Sequence, residues 1–330
     1  MLDKITHLSE SISEITLDEA FTNAIADQLN GQADMDEDGN LYLNRKDHAP
    51  ILVITPFFTY PLSVEKVYPD GAVGIELYDS PSRFPLPGSD IYIHGKKVYQ
   101  GVIGSVPPHL QKGYSATSPY ELSDLKCDVC ASYEELQNTV FPGTRITYYS
   151  KPFRLLEGKI AGRNLDLIAP AAALLECADG LDKDLFTVCF CSNWCSALEK
   201  TNPQIVIVLD VMDLEQHNMD YRHGEGIGKL YVETGTTVND GVRNLLKASA
   251  DAAGIANEWL ARCDKSEGPH TITWDIQTAK GGTPVGTIYL PYEGGSSGVQ
   301  VMAESTAESL AKLLQQIKAV PGRDELCWSI

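Results

Sequence analysis

The chain has 330 residues, 43% of them hydrophobic and 22% charged, which is the composition of a globular protein and not of a disordered one. With 26 Lys and Arg against 45 Asp and Glu it carries −19 at pH 7, a deficit of the cations that nucleic-acid binding requires. Its longest apolar runs, such as Ile205–Val211, fall far short of the roughly 20 residues of a bilayer span.

The segment MLDKITHLSESISEI has neither the apolar core nor the small-residue cleavage site of a secretory leader. The expectation is a cytoplasmic protein with no nucleic-acid or membrane partner. At about 150 residues per domain, the length suggests two domains, or one domain carrying a large insertion.

Taken in chain order, Ile15–Leu29 has apolar residues at helical spacing. Asp34–Asn40, DMDEDGN, is a charged turn. It is half of a calcium loop, but the position that needs a Glu is Arg45, so it reads as a solvated hairpin. Ile51–Thr55 is a continuous apolar run of the kind found in strands buried on both faces. From Val64 to about Glu157, short strands are punctuated by Pro and Gly, as in GAVGIEL, DIYIHGKKVYQGVIG and TRITYYS.

The pattern then changes. LIAPAAALLECADGL is helical, LFTVCFC and IVIVLDV are strands, and VNDGVRNLLKASADAAGI is a long helix. TITWDI and VGTIYLP read as strands and SLAKLLQQIKAV as a closing helix. Strands alternating with helices over Lys159–Val320 predict a three-layer α/β sheet of parallel or mixed order, interrupted by a β-rich insertion.

Asp210 ends the apolar run IVIVLD, and open α/β sheets build their sites at the carboxyl ends of strands. A turn-capping role fits it equally. Asp166 stands just ahead of a helix, where a carboxylate commonly satisfies free N–H groups. The glycine-rich stretches at Gly224–Gly228 and Gly294–Gly298 lack the register of phosphate loops and read as turns. No GxSxG elbow occurs. His217 and His223 lie in a polar segment that reads as a surface loop, and the other histidines are scattered. The spacings Cys127-x2-Cys130 and Cys189-x-Cys191-x3-Cys195 lack the second half of a zinc site and read as reduced thiols.

Several segments resemble one family. GVIGSVPPHL (Gly101–Leu110) resembles its GVIGxxPPH element, and LKCDVCASYEEL resembles its LxxDIGASSxEEA segment. GRNLDLIAPAAALLE is similar, without a gap, to GKALDDRAGCAALLE, and TNPQIVIVLDV to INPDIAIAVDV. The family is the glutamyl aminopeptidases, two-metal peptidases that include tetrahedral, dodecameric enzymes and members labelled endoglucanases. The likeness runs from about Ile15 to Ile317.

The resemblance implies a three-layer α/β/α zinc-aminopeptidase-like domain (1–63 plus 157–330) with an inserted β-barrel-like dimerisation domain (64–156), and a homodimer or larger homo-oligomer. It also implies two divalent metals, zinc or cobalt, held by five side chains, with a Glu as general base. The bridging Asp falls on Asp166, although its usual Asp neighbour is Leu167, and the strand-end Asp falls on Asp210.

The other positions depart from the pattern. The His-x-Asp motif should follow ILVIT, where the chain reads PFFTYP with Phe57 and Phe58. The Glu-Glu pair falls on Asn193 and Trp194, after Ser192, and the late His falls near Ser296. No His lies between His48 and His94 or after His270 to substitute.

The leading expectation is therefore a non-catalytic family member with no cofactor beyond a weak single metal at Asp166 and Asp210. Its role would be binding, regulatory or assembly-related. Two alternatives stand beside it. One is an active aminopeptidase in which Cys191 and Cys195 help to hold a different metal. The other is a repurposed pocket for a peptide or small ligand, lined by Phe57, Phe58, Ser192, Asn193, Trp194 and Ser296.

Overall fold

A computed structural model describes residues 1–11, 17–56, 62–77, 86–110, 120–215, 226–235, 238–261, 272–279, 282–295 and 297–326. The chain opens with helices α1 (Leu2–Ser11) and α2 (Leu17–Gln28), then strands β1 (Asp34–Met35), β2 (Leu41–Leu43) and β3 (Ile51–Pro56). Six strands follow: β4 (Leu62–Val67), β5 (Val73–Leu77), β6 (Asp90–His94), β7 (Val98–Ser105), β8 (Leu125–Asp128) and, after the short helix α3 (Tyr133–Leu136), β9 (Arg145–Tyr148). Next come β10 (Phe153–Arg154), β11 (Lys159–Gly162), α4 (Leu165–Cys177), β12 (Phe186–Cys191), α5 (Trp194–Thr201), β13 (Ile205–Asp213) and β14 (Leu230–Thr234). The chain continues through α6 (Asp240–Ala252), β15 (Asn257–Ala261), α7 (Ile272–Thr278), β16 (Val285–Tyr292), β17 (Gln300–Ala303), α8 (Ser305–Gln316) and α9 (Arg323–Leu326).

The apolar runs take the centre of an eight-stranded sheet, ordered β1-β2-β12-β3-β13-β16-β14-β15. Strands β12, β3, β13 and β16 are parallel, so their carboxyl ends share one edge, while β2 runs antiparallel to β1 and β12, and β14 runs antiparallel to β16 but parallel to β15. Side-chain alternation divides the core by face. Ile51, Val53, Val188, Phe190, Ile207 and Leu209 pack with residues of α1, α2, α4, α6 and α8. Leu52, Ile54, Cys189, Cys191, Val206 and Val208 pack with Ala197 and Leu198 of α5 and Ile276 of α7. Helices therefore cover both faces, and the three-layer expectation holds.

The β-rich stretch closes into a six-stranded barrel, β4-β5-β8-β7-β6-β9, around its own core of Leu62, Val64, Ile75, Ile91, Ile103 and Ile146. On leaving it the chain forms β10, which pairs with β11, and β11 pairs with β17, making a three-stranded sheet. Among the described residues no helix is long and apolar enough to cross a membrane.

Two local expectations need correction, and the first residues add a helix that no expectation covered. ITWDIQT is a helix, α7, and not a strand. Thr273, Ile276 and Gln277 recur at helical spacing and are the buried face, and the Thr273 hydroxyl bonds the buried Glu233 carboxylate at 2.8 Å. The N-terminal polar lead is also helical, because Ile5 and Leu8 sink into the main core from α1. The Asp34–Asn40 hairpin exists, but it is not merely solvated, since Asp36 and Asn40 are buried within it.

Candidate functional site

The strand register lays out the carboxyl edge of the sheet. Cys191 pairs with Pro56 and Val208 with Ile54, so Asp210, two residues on, comes level with both and pairs on its other side with Tyr289. With strands about 4.8 Å apart, Asp210 lies roughly 10 Å, two strand spacings, from the end of β12 where Ser192, Asn193 and Trp194 follow. Phe57, Phe58 and Ser296 lie outside the described residues, as do His217 and His223.

Asp166 sits in the first turn of α4, behind Asn164 in a left-handed conformation. Its backbone N–H donates to Gln300 Oε1 at 3.2 Å, and its Oδ1 accepts the Leu167 N–H at 3.1 Å. Burial pushes its carboxyl above the usual range, and a side-chain hydrogen bond from Gln300 and the Leu167 N–H only partly oppose this. Asp210 receives the next N–H of its own strand, Val211, at 2.8 Å.

A carboxylate that the sequence reading passed over is placed as centrally. Asp213 is buried and pairs directly with Tyr292 of β16. Alternation puts Asp213, not Asp210, on the face that Leu209 and Tyr292 share with α4. Burial raises the Tyr292 phenol strongly, and the charges of Asp166, Asp213, Asp210 and Glu215, in that order, add to it. The phenol therefore stays protonated.

The Gly294–Gly295 turn after β16 closes on the same place. A Cβ on Gly295 would press into Asp213 Oδ2 and approach the Tyr292 ring at 3.2 Å. The Gly295 backbone thus abuts the Asp213 carboxylate. Among the described residues no group of three or more His, Cys, Asp or Glu side chains is arranged to hold a metal ion.

At the end of β12, Asn193 is the N-cap of α5, and its side chain accepts the Ser196 N–H at 3.3 Å. The N–H groups of Ser192 and Asn193 both donate to Asn40 Oδ1, at 2.9 and 2.8 Å. Asn40 is held by Asp36, whose carboxylate accepts the Asn40 N–H, the Asn40 amide, the Asp38 N–H and the Tyr42 hydroxyl at 2.9–3.0 Å. Lys200 of α5 completes the clamp, with Nζ 3.1 Å from Asp36, 2.9 Å from Glu37 and 3.1 Å from Asp38. Ser196 adds a hydroxyl bond to Asp38. Burial works against charge on Asp36, but the hydrogen bonds from Asn40, Lys200 and Tyr42 win and hold its carboxyl below the usual range.

With this geometry established, the comparisons identify the family. The profile described as M42 glutamyl aminopeptidase matches residues 59–313. The chain belongs to that family. Among solved structures it is similar to a TET aminopeptidase from a marine sediment archaeon of the Thaumarchaeota, at 16% identity over 98% of each chain with a TM-score of 0.79. It is similar to an aminopeptidase from Desulfurococcus kamchatkensis at 17% identity, covering 97% of this chain and 96% of that one, with a TM-score of 0.78. A third is the TET1 peptidase of Pyrococcus horikoshii, which can assemble into a tetrahedron or a large octahedral shell. It is 19% identical, covers 91% of this chain and 93% of its own, and has a TM-score of 0.73. At these identities the structural likeness speaks for the fold.

Proposed function

We propose that this chain is a non-catalytic member of the glutamyl aminopeptidase family, keeping the fold without the two-metal hydrolytic site, with a role in binding, regulation or assembly. The observation that carries this reading is the state of Asn193. The resemblance assigns its segment the Glu-Glu pair, one a metal ligand and the other the general base. Here the side chain caps α5 and the N–H is bound by Asn40. An amide cannot take a proton from water as a carboxylate does.

The neighbouring geometry supports the same reading. A zinc site normally takes at least three protein ligands, and a two-metal site needs more. Asp166 is engaged by Gln300 and by the start of its own helix, and Gly295 backbone abuts Asp213. These residues do not fit a two-metal centre. The alternative in which Cys191 and Cys195 help to replace the lost ligands is disfavoured because, among the described residues, no three His, Cys, Asp or Glu side chains are grouped to hold a metal ion, and Cys191 is buried whereas Cys195 is exposed.

We propose, further, that the barrel is a separate unit (64–156, beside 1–63 plus 157–330) and that the chain forms at least a homodimer through it. Repulsion between chains of −19 is screened within about 8–10 Å at physiological salt. A cytoplasmic setting accords with the six described cysteines, all free thiols.

The test of the catalytic reading is turnover. Purified protein incubated with aminoacyl chromogenic substrates should release no product above buffer, with or without added zinc, cobalt or manganese. Turnover that disappears in an Asp166→Ala variant would overturn the reading and show that another side chain supplies the base.

A further inference from the structure

Beneath α7 the sheet buries a carboxylate whose two oxygens are served unequally. Glu233, on β14, is 1% exposed. Its Oε2 accepts the Thr273 hydroxyl at 2.8 Å and the Tyr289 hydroxyl at 3.1 Å. Its Oε1 is buried and receives no hydrogen bond. Among the described residues no Lys, Arg or His side chain pairs with either oxygen.

The hydroxyl hydrogens around Glu233 are already committed. Thr273 has a single hydroxyl hydrogen and gives it to Glu233. At 2.6 Å from Thr287 Oγ1 it therefore accepts, and Thr287 donates. The Tyr289 hydrogen also goes to Oε2. What the two threonine oxygens retain is lone pairs, which cannot serve Oε1.

A second oxygen is in the same condition. Gln277 is 7% exposed, and its Oε1 is buried without a hydrogen bond. It follows Thr273 by one turn on the buried face of α7. Side chains of a helix lean towards its N-terminus, which tilts the Gln277 amide back over Thr273. A buried oxygen without a donor is costly, and buried charge is kept where it is paired or coordinates a cation.

The donor set selects the cation. Carboxylate, carboxamide and hydroxyl oxygens are hard ligands, with no thiolate or imidazole among them. Calcium takes about 6–8 oxygens and magnesium keeps several waters, more than this small buried set supplies. One carboxylate balances one positive charge.

We infer that Glu233 Oε1, Gln277 Oε1 and the remaining lone pairs of Thr273 and Thr287 hold an alkali cation, sodium or potassium, which pins α7 to β14 and β16. The site shares no residue with the carboxyl-edge carboxylates. Strand β16 lies between β14 and β13, so Glu233 is two strand spacings, about 10 Å, from the strand that carries Asp210.

The test is thermal melting of the full chain in sodium, potassium or choline chloride at about 0.15 M, where all three salts screen charge equally. Wild type should melt about 3 °C or more higher in an alkali chloride than in choline chloride, by a margin that grows with cation concentration. The salt with the larger margin identifies the ion. Glu233→Gln keeps an acceptor for both hydroxyls but removes the charge, and should melt alike in all three salts. Gln277→Met removes an oxygen that has no partner. It should match or exceed wild type in choline chloride while its response to alkali cation falls about two-fold or more. It carries the test if Glu233→Gln does not fold.

Equal melting of wild type in the three salts would overturn the inference and give Oε1 to a hydrogen-bond donor instead. A cation response that persists in full in either variant would overturn it as well, because the ion would then bind elsewhere.

Discussion

Replacing Asp36 by alanine should lower the unfolding free energy by about 3 kcal/mol, the scale of removing one partner from a buried, hydrogen-bonded ion pair. The side chain is 1% exposed and receives four hydrogen bonds besides the Lys200 ammonium. Alanine strands the Tyr42 hydroxyl and the Asn40 amide, both fully buried, and releases the Asn40 carbonyl that fixes Ser192 and Asn193.

The effect has a definite pH sign. The Asp36 carboxyl is lower in the folded chain than its ordinary value. Its contribution is therefore complete above the unfolded carboxyl range, near pH 4, and is lost as pH falls towards the depressed folded value. Urea denaturation of wild type and Asp36→Ala should differ most at pH 6–7 and converge below about pH 4. A difference that held constant down to pH 3 would mean that the charge of Asp36 is irrelevant to the clamp.

The second large effect is expected at Gly295. Alanine there pushes a methyl group into the buried Asp213 carboxylate and towards the Tyr292 ring. Overpacking of this kind costs about 1–3 kcal/mol. Gly228→Ala is the control: nothing lies within 4 Å of a Cβ there, and the backbone is not left-handed. The Gly295 variant should melt several degrees below wild type while Gly228→Ala melts with it. Equal melting of the two variants would show that the turn can move away from Asp213, leaving room that the structure does not display.

Much of the architecture is legible in the residues because burial on both faces leaves a direct mark. Ile51–Ile54, Val188–Cys191 and Ile205–Leu209 are unbroken apolar runs, and they lie in the parallel centre of the sheet. Edge and short strands leave no such mark. Asn257–Ala261 exposes Trp259 and buries only Leu260, and β10 is two residues long. Helix α7 misleads because its β-branched and aromatic residues favour strands, whereas tertiary contacts of Thr273 and Ile276 decide its form.

The site is legible to a smaller extent. Asp166 and Asp210 carry local signals, a helix start and a strand end. Asp213 and Tyr292 meet only through the β13–β16 register. Gln300 reaches Asp166 across 134 positions, and Asn40 reaches Asn193 across 153. No local pattern announces such partners, so a cap and clamp at the end of β12 look in sequence like a polar loop and a distant acidic turn.

The central claim is that no two-metal centre forms in this chain. Its most direct test is metal content: protein purified without chelator, dialysed against zinc or cobalt and then against metal-free buffer, and analysed by inductively coupled plasma mass spectrometry per mole of chain. The account predicts well under one retained ion per chain, unchanged in an Asp166→Ala variant. Two ions per chain that depend on Asp166 and Asp210 would contradict it.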